Sequence, residues 1–203
     1  MHRGPLLELL SRYEVAYPGE QSCVERIRAL VQAHDDCFER TCLPGHITAS
    51  AWILSPDRKR VLLTRHRKLQ RWLQLGGHAD GDADVLRVAL REAREESGMD
   101  RFGVLCPGDG AMSSAPPLPL DLDVHRIPAR GDDPEHAHHD IRYLLVAEEG
   151  QSLAISAESI DLDWFAPADL EALEADASLL RLRDKAEALL GARARGPEEF
   201  QVR

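Results

Sequence analysis

At 203 residues and 43% hydrophobic content, the chain is long enough to bury one sizeable core and short for two full domains. Its formal net charge of -10 excludes a general binder of nucleic acid or of anionic membrane, which needs clustered Lys and Arg, but not a small phosphorylated ligand whose charge a metal could offset. Cys23, Cys37, Cys42 and Cys106 form no CxxC pair, the start is too short and too soon charged for a signal peptide, and no run reaches the roughly 18 apolar residues of a membrane span; together these point to reduced thiols in a soluble cytoplasmic protein, without a cysteine-built zinc site.

Leu6, Leu9, Leu10 and Tyr13 share one face of a predicted helix over 5–14, which Pro18-Gly19 ends. Cys23, Val24, Ile27, Leu30 and Val31 repeat at helical spacing over about 20–34. This N-terminal helical extension, 1–44, reads as a structural cap on the core, with a dimer surface or a lid as alternatives. His46–Leu54 and Arg60–Arg65 read as strands of a hairpin around Pro56-Asp57. The basic run His66-Arg67-Lys68-Leu69-Gln70-Arg71 is either a solvated loop or a phosphate-steering one.

Gly76-Gly77 reads as a turn that opens a helix. Asp82 or Asp84 is its expected N-cap, Leu86, Ala89, Leu90 and Ala93 its buried stripe, and Gly98 its left-handed terminator. Glu92, Glu95 and Glu96, spaced i, i+3, i+4, share a side away from that stripe, so their carboxylates can converge. Three acids that close repel one another, and a divalent cation with oxygen ligands, Mg²⁺ or Mn²⁺, would neutralise them. The alternative is a charged, solvated helix surface.

After the Pro-rich stretch Ala115–Pro119, Leu120–His125 alternates as a strand with Asp121, Asp123 and His125 on one face. In His136–Val146 the same alternation places His136, His138, Asp140 and Arg142 together, and an antiparallel return would bring them near His125. This second polar group, with His78 beside it, is read as a site for substrate or a second metal, the alternative being a solvated strand face. Trp164-Phe165 closes a strand, Pro167 stands near the start of a helix, and leucines from Leu170 to Leu189 mark helical segments up to Gly191 before a charged tail, 192–203.

The stretch Gly77–Met99 resembles the Nudix hydrolase signature, G-x5-E-x7-R-E-U-x-E-E-x-G-U with U a bulky aliphatic residue: Gly77, Arg91, Glu92, Glu95, Glu96, Gly98 and Met99 match in register, and Ala93 fills the first U position. The resemblance implies an α/β fold, a mixed β-sheet sandwiched between α-helices (α/β/α), with the hydrolase domain over 45–191. It implies metal ligation by Glu92, Glu95, Glu96 and the Gly76 carbonyl, and a further ligand or general base from a later loop, for which Glu158, six before Trp164, is the candidate. Arg91, Glu95 and Glu158 would then be the catalytic group.

The signature's first Glu falls on Ala83, and Leu75 stands where a proline often precedes the glycines; Asp80, Asp82 or Asp84 is expected to take over the pairing with Arg91. The implied activity is that of a MutT-like, metal-dependent pyrophosphohydrolase (EC 3.6.1.-) cleaving a nucleoside diphosphate linked to another moiety. Its partner would be a small nucleotide-derived substrate, with no nucleic-acid polymer and no membrane; a homodimer stays open. The alternatives are a non-catalytic Nudix-like nucleotide-binding module and an isopentenyl-diphosphate-isomerase-like enzyme, whose signature-loop cysteine is missing here. The region Ser113–Pro119, where family subgroups are often marked, assigns no subgroup.

Overall fold

The computed structural model describes residues 2–107, 115–131, 133–156 and 159–194. Its elements are α1 (Gly4–Ala16), α2 (Gln21–Ala33), β1 (Gly45–Leu54), β2 (Val61–His66), β3 (Trp72–Leu73), β4 (Leu75–His78), α3 (Val85–Ser97), β5 (Phe102–Leu105), β6 (Asp121–Ile127), β7 (His136–Ala147), β8 (Ser159–Phe165), a short 3₁₀ turn (Pro167–Asp169) and α4 (Ala177–Ala194).

Strands β1 and β7 organise the sheet. They run parallel and in register from Gly45 opposite Ala137 to Leu54 opposite Val146. The outer edge of each is shared: β4 takes Thr48–Ala51 of β1 and β2 takes Ile53–Leu54, while β6 takes His136–Arg142 of β7 and β5 takes Leu144–Ala147. The result is a mixed eight-stranded sheet that splits at its centre, with β8 on β2 and β3 at the margin.

Alternation then sets the two faces of the central pair. Ile47, Ala49, Ala51 and Ile53 of β1 join Ile141, Tyr143 and Leu145 of β7 in the main core, against Val85, Val88, Ala89 and Ala93 of α3. Leu6, Leu10 and Tyr13 of α1 and Val24, Ile27 and Val31 of α2 lie in that same core, so the N-terminal helices are built into the domain. Full burial of each such aliphatic side chain contributes about 1.5–3 kcal/mol. On the opposite face Trp52, Leu54 and Leu144 pack against Leu179, Leu182 and Ala186 of α4, which completes a sheet held between helices. Among the described residues no helix is long and apolar enough to cross a membrane.

Helix α3 has the expected ends. The Asp84 carboxylate accepts from the Arg87 backbone N–H at 3.1 Å, and Gly98 adopts φ 74°. Two expectations need correction, the glycine turn and the helix start at Pro167. Gly76 and Gly77 lie inside β4, extended against Ser50 and Ala49, and the turn falls four residues later at Asp80 and Gly81, with φ 51° and 83°. The expected β1–β2 hairpin forms but is limited to two residue pairs, because β3 takes Thr64 and Arg65 further along β2 and β4 takes Thr48–Ala51 of β1. Pro167 opens only the short 3₁₀ turn; α4 begins at Ala177 and runs past Gly191 to Ala194. The two-residue β3 and the four-residue β5 are too short to show a period in the sequence.

Candidate active site

The paired glycines exist for close approach. A Cβ on Gly76 would sit 2.3 Å from the Ser50 Cβ, and one on Gly77 would sit 2.5 Å from the Glu92 carboxyl group. Their absence lets α3 press its acidic side against the backbone of β4. Across that contact the Gly76 N–H donates to Glu96 Oε2 at 2.8 Å, and Arg91 donates to the His78 carbonyl at 2.6 Å and to Glu92 Oε1 at 2.7 Å.

The three glutamates therefore have different surroundings. Glu96 is buried and tied to β4, Glu92 is half-buried and paired with Arg91, and Glu95 is exposed, with no hydrogen bond or ion pair among the described residues. Burial pushes the Glu92 carboxyl above its ordinary value; the charges of Glu95 and Asp80 add to this, and the Arg91 pair opposes it. The Glu92 bond is the largest of the influences that hold the Arg91 guanidinium above its usual range. Two sets of three donors, His46–His136–His138 and His34–Asp36–Cys42, have their ligand atoms within 4.8 Å of one another, and the glutamates of α3 are not among these compact sets. A hard divalent cation still fits this face, since Mg²⁺ and Mn²⁺ take one or two carboxylates with the remaining positions filled by water or phosphate.

None of the nearby aspartates takes the place expected of it beside Arg91. Asp80 is bonded by Arg40 through Nε at 2.7 Å and Nη2 at 2.6 Å, Asp82 accepts from Arg87 Nε at 2.6 Å, and Asp84 is the helix cap. Arg91 is held by Glu92 and by the carbonyl of His78 instead. Glu158 lies outside the described residues, as do Ser113 and Ser114. In the basic run, Arg67 donates to the Ser159 carbonyl at 2.9 Å and Arg71 pairs with Asp176 at 3.3 Å.

The second polar group divides in two. At the start of β7 the histidines do come together. Ring centroids of His138 lie 4.9 Å from His46, 5.1 Å from His78, 5.2 Å from His136 and 5.5 Å from His125. His46 was not among the candidates: it reaches the group only because β1 pairs with β7 and sets it opposite His138, a contact between segments 92 residues apart that no local pattern encodes. Neither ring nitrogen of His46 nor Nε2 of His138 makes a hydrogen bond of normal geometry, although the Cys42 backbone lies close enough to His46 to favour its protonated form, and these three atoms are shielded from solvent. Each such orphaned group costs about 1–3 kcal/mol. Burial, reinforced by His78 and His136, lowers His46 to about 4, and burial together with the neighbouring histidines holds His138 still lower, so both rings are neutral at pH 7.

Asp140 and Arg142 belong elsewhere, one and two rungs further along the same face. Asp140 accepts from Thr48 at 3.0 Å, Ser50 at 2.8 Å and Arg142 Nε at 2.9 Å. Arg142, 3% exposed, also bonds Asp123 at 3.0 Å and Ser178 of α4 at 2.6 Å. Arg181 and Lys185 of α4 close the network onto Asp121, Asp123, Glu20 and the Tyr13 hydroxyl. Burial favours a neutral Asp123, yet the His125 bond and the charges of Arg142 and Arg181 hold its carboxyl far below the usual range. Arg142 is buried, and its bonds fasten α4 to the sheet.

A sheet split between two strand pairs, with a glutamate helix clamped to the glycine strand, defines one class of domain. The family model described as NUDIX domain matches residues 44–185, and the chain belongs to that family, the Nudix/MutT hydrolases. Solved structures agree. A NUDIX-family hydrolase from Clostridium perfringens is 26% identical with TM-score 0.54, covering 72% of this chain and 97% of that one. An Ap4A hydrolase from C. elegans is 18% identical with TM-score 0.55, over 72% of this chain and 98% of that one. The dihydroneopterin triphosphate pyrophosphohydrolase of E. coli is 15% identical with TM-score 0.52, over 68% and 92%. No curated protein matches the chain.

Proposed function

We propose that the protein hydrolyses a diphosphate bond in a small nucleotide-derived substrate, a nucleoside diphosphate linked to another moiety, with Mg²⁺ or Mn²⁺ as cofactor. The observation that carries this reading is the clamp between α3 and β4, which holds Glu92 and Glu96 at the glycine strand and leaves Glu95 open to solvent. Glu92, Glu95, Glu96 and the Gly76 carbonyl would hold the cation. When bound, it neutralises phosphate oxygens and lowers the pKa of a coordinated water.

The chain's own residues have separable duties. Arg91 is a positioning residue: it fixes the Glu92 carboxylate and the end of β4 in one geometry. Glu96 is held by the Gly76 N–H, so the helix cannot rotate without breaking a bond at its buried end. Glu95, which pairs with no Lys or Arg among the described residues, is suited to accept the proton of the attacking water beside its part in holding the cation, a duty Glu158 would share from the later loop.

The test is turnover against ADP-sugars, dinucleotides, nucleoside triphosphates and CDP-alcohols with each metal. The expected result is metal-dependent release of monophosphate or pyrophosphate, reduced about 100-fold or more by Glu95→Gln. A second reading, a nucleotide-binding module without turnover, is favoured by Ala83 and by Arg91 having no hydrogen bond to an aspartate among the described residues. Thermal stabilisation by a nucleotide with no product from any substrate would establish it and refute the first.

A further inference from the structure

We propose that His46, His136 and His138, with His78 and His125 at their flanks, form a binding site for one late first-row divalent metal ion of the Zn²⁺ type, distinct from the glutamate face of α3. Ligand atoms of the first three lie within 4.8 Å of one another. Tetrahedral zinc with bonds of about 2.05 Å needs nitrogens about 3.4 Å apart, a closure that small rotations of imidazole rings supply.

Donor orientation supports the assignment. His136 Nδ1 lies 2.9 Å from the Pro134 carbonyl, which can only accept, so Nδ1 carries the proton and Nε2 presents its lone pair. The Nδ1 of His125 is placed in the same way, 2.9 Å from the Asp123 carboxylate. A ring nitrogen held by a carbonyl or a carboxylate is the usual outer support of a metal-bound histidine. The buried ring nitrogens of His46 and the Nε2 of His138 meanwhile make no hydrogen bond of normal geometry, and a metal would give them a partner.

The ligand set selects the ion. Imidazole nitrogens favour Zn²⁺, Co²⁺ or Ni²⁺, while Mg²⁺ prefers oxygen. His125 and His136 are only partly covered, so water can enter from that side and fill the remaining coordination position. The carbonyl of His78 holds Arg91, which makes β4 a shared wall between the two sites.

The test uses the full chain stripped with chelator, loaded with Zn²⁺ or Co²⁺ in excess Mg²⁺, and passed through gel filtration. Metal content and Co²⁺ absorption are the readouts, so the result does not depend on finding a substrate. Wild type is expected to retain about one equivalent, with intense visible Co²⁺ bands. His136→Asn, at a partly exposed position, and His138→Asn should each weaken retention about tenfold or more while circular dichroism stays native. Glu95→Gln and Cys42→Ser should retain the metal. The proposal is overturned if wild type keeps no metal, if both histidine variants bind like wild type, or if loss occurs instead in Cys42→Ser or Glu95→Gln, which would place the ion at the His34–Asp36–Cys42 set or at the glutamates.

Discussion

Replacing Arg142 by Met separates a fastening role from a substrate-binding one. The guanidinium is 3% exposed and faces Asp140, Asp121 and Asp123, whose side chains are 5%, 0% and 16% exposed. Methionine fills much of the volume but none of the charge. Arg181 and Lys185 still serve Asp121 and Asp123, whereas Asp140 keeps only the hydroxyls of Thr48 and Ser50. Removing one partner of a buried pair costs about 3–5 kcal/mol. At a urea dependence of about 3 kcal/mol per molar, that lowers the midpoint by about 1–1.7 M. Asp140→Asn added to Arg142→Met should recover part of the loss, because the stranded charge is gone. Urea unfolding followed by circular dichroism, with KM measured on the best diphosphate substrate, decides the matter. A midpoint unchanged within about 0.3 M, accompanied by a raised KM, would show that Arg142 faces substrate and does not fasten α4.

Other expectations follow from single contacts. Gly77→Ala forces a methyl group into the Glu92 carboxyl, so a folded protein destabilised by about 1–3 kcal/mol should need markedly more Mg²⁺ for half-maximal turnover; an unchanged metal dependence would contradict the clamp. Asp84→Ala removes the α3 cap and should cost about 1 kcal/mol, read as a lower thermal midpoint. His46, held near 4 by burial against an ordinary value of about 6.5, takes up its proton more readily when unfolded. Metal-free protein should therefore be fully stable in this respect above about pH 7 and lose about 3 kcal/mol from this residue as pH falls from 6.5 to 4. His46→Gln should reduce the fall of the urea midpoint over that range, with His138 and His139, which burial also holds low, supplying the remainder; a wild-type midpoint already flat there would rule the mechanism out.

Much of the arrangement is legible in the sequence because it is local. The cap at Asp84, the stop at Gly98 and the apolar stripe between them define α3 without reference to the rest of the chain. The alternation around His136–Val146 likewise reveals β7 and the shared face of its polar residues. Local pattern cannot say which strand comes to lie alongside. It therefore does not reveal that His46 faces His138, or that α4, more than thirty positions later, brings Ser178 onto Arg142 and Arg181 onto Asp123. The glycines mislead for a related reason: a pair of glycines suggests a turn, whereas here each makes room for a neighbour, Ser50 or Glu92, that only the folded chain reveals.

The residue-for-residue match of β1 with β7 also acts as a parity check on the whole molecule. Sliding either strand by one position would turn His138, Asp140 and Arg142 toward the apolar side and expel Ile141 and Tyr143 from it, so every rung would be wrong at once. Sliding by two would restore the faces but set Arg142 against Trp52 and part Asp140 from Thr48. Insertions and deletions should thus be tolerated in the connections and rejected within these two strands, which makes their length, more than the identity of any one core residue, the property this architecture can least afford to change.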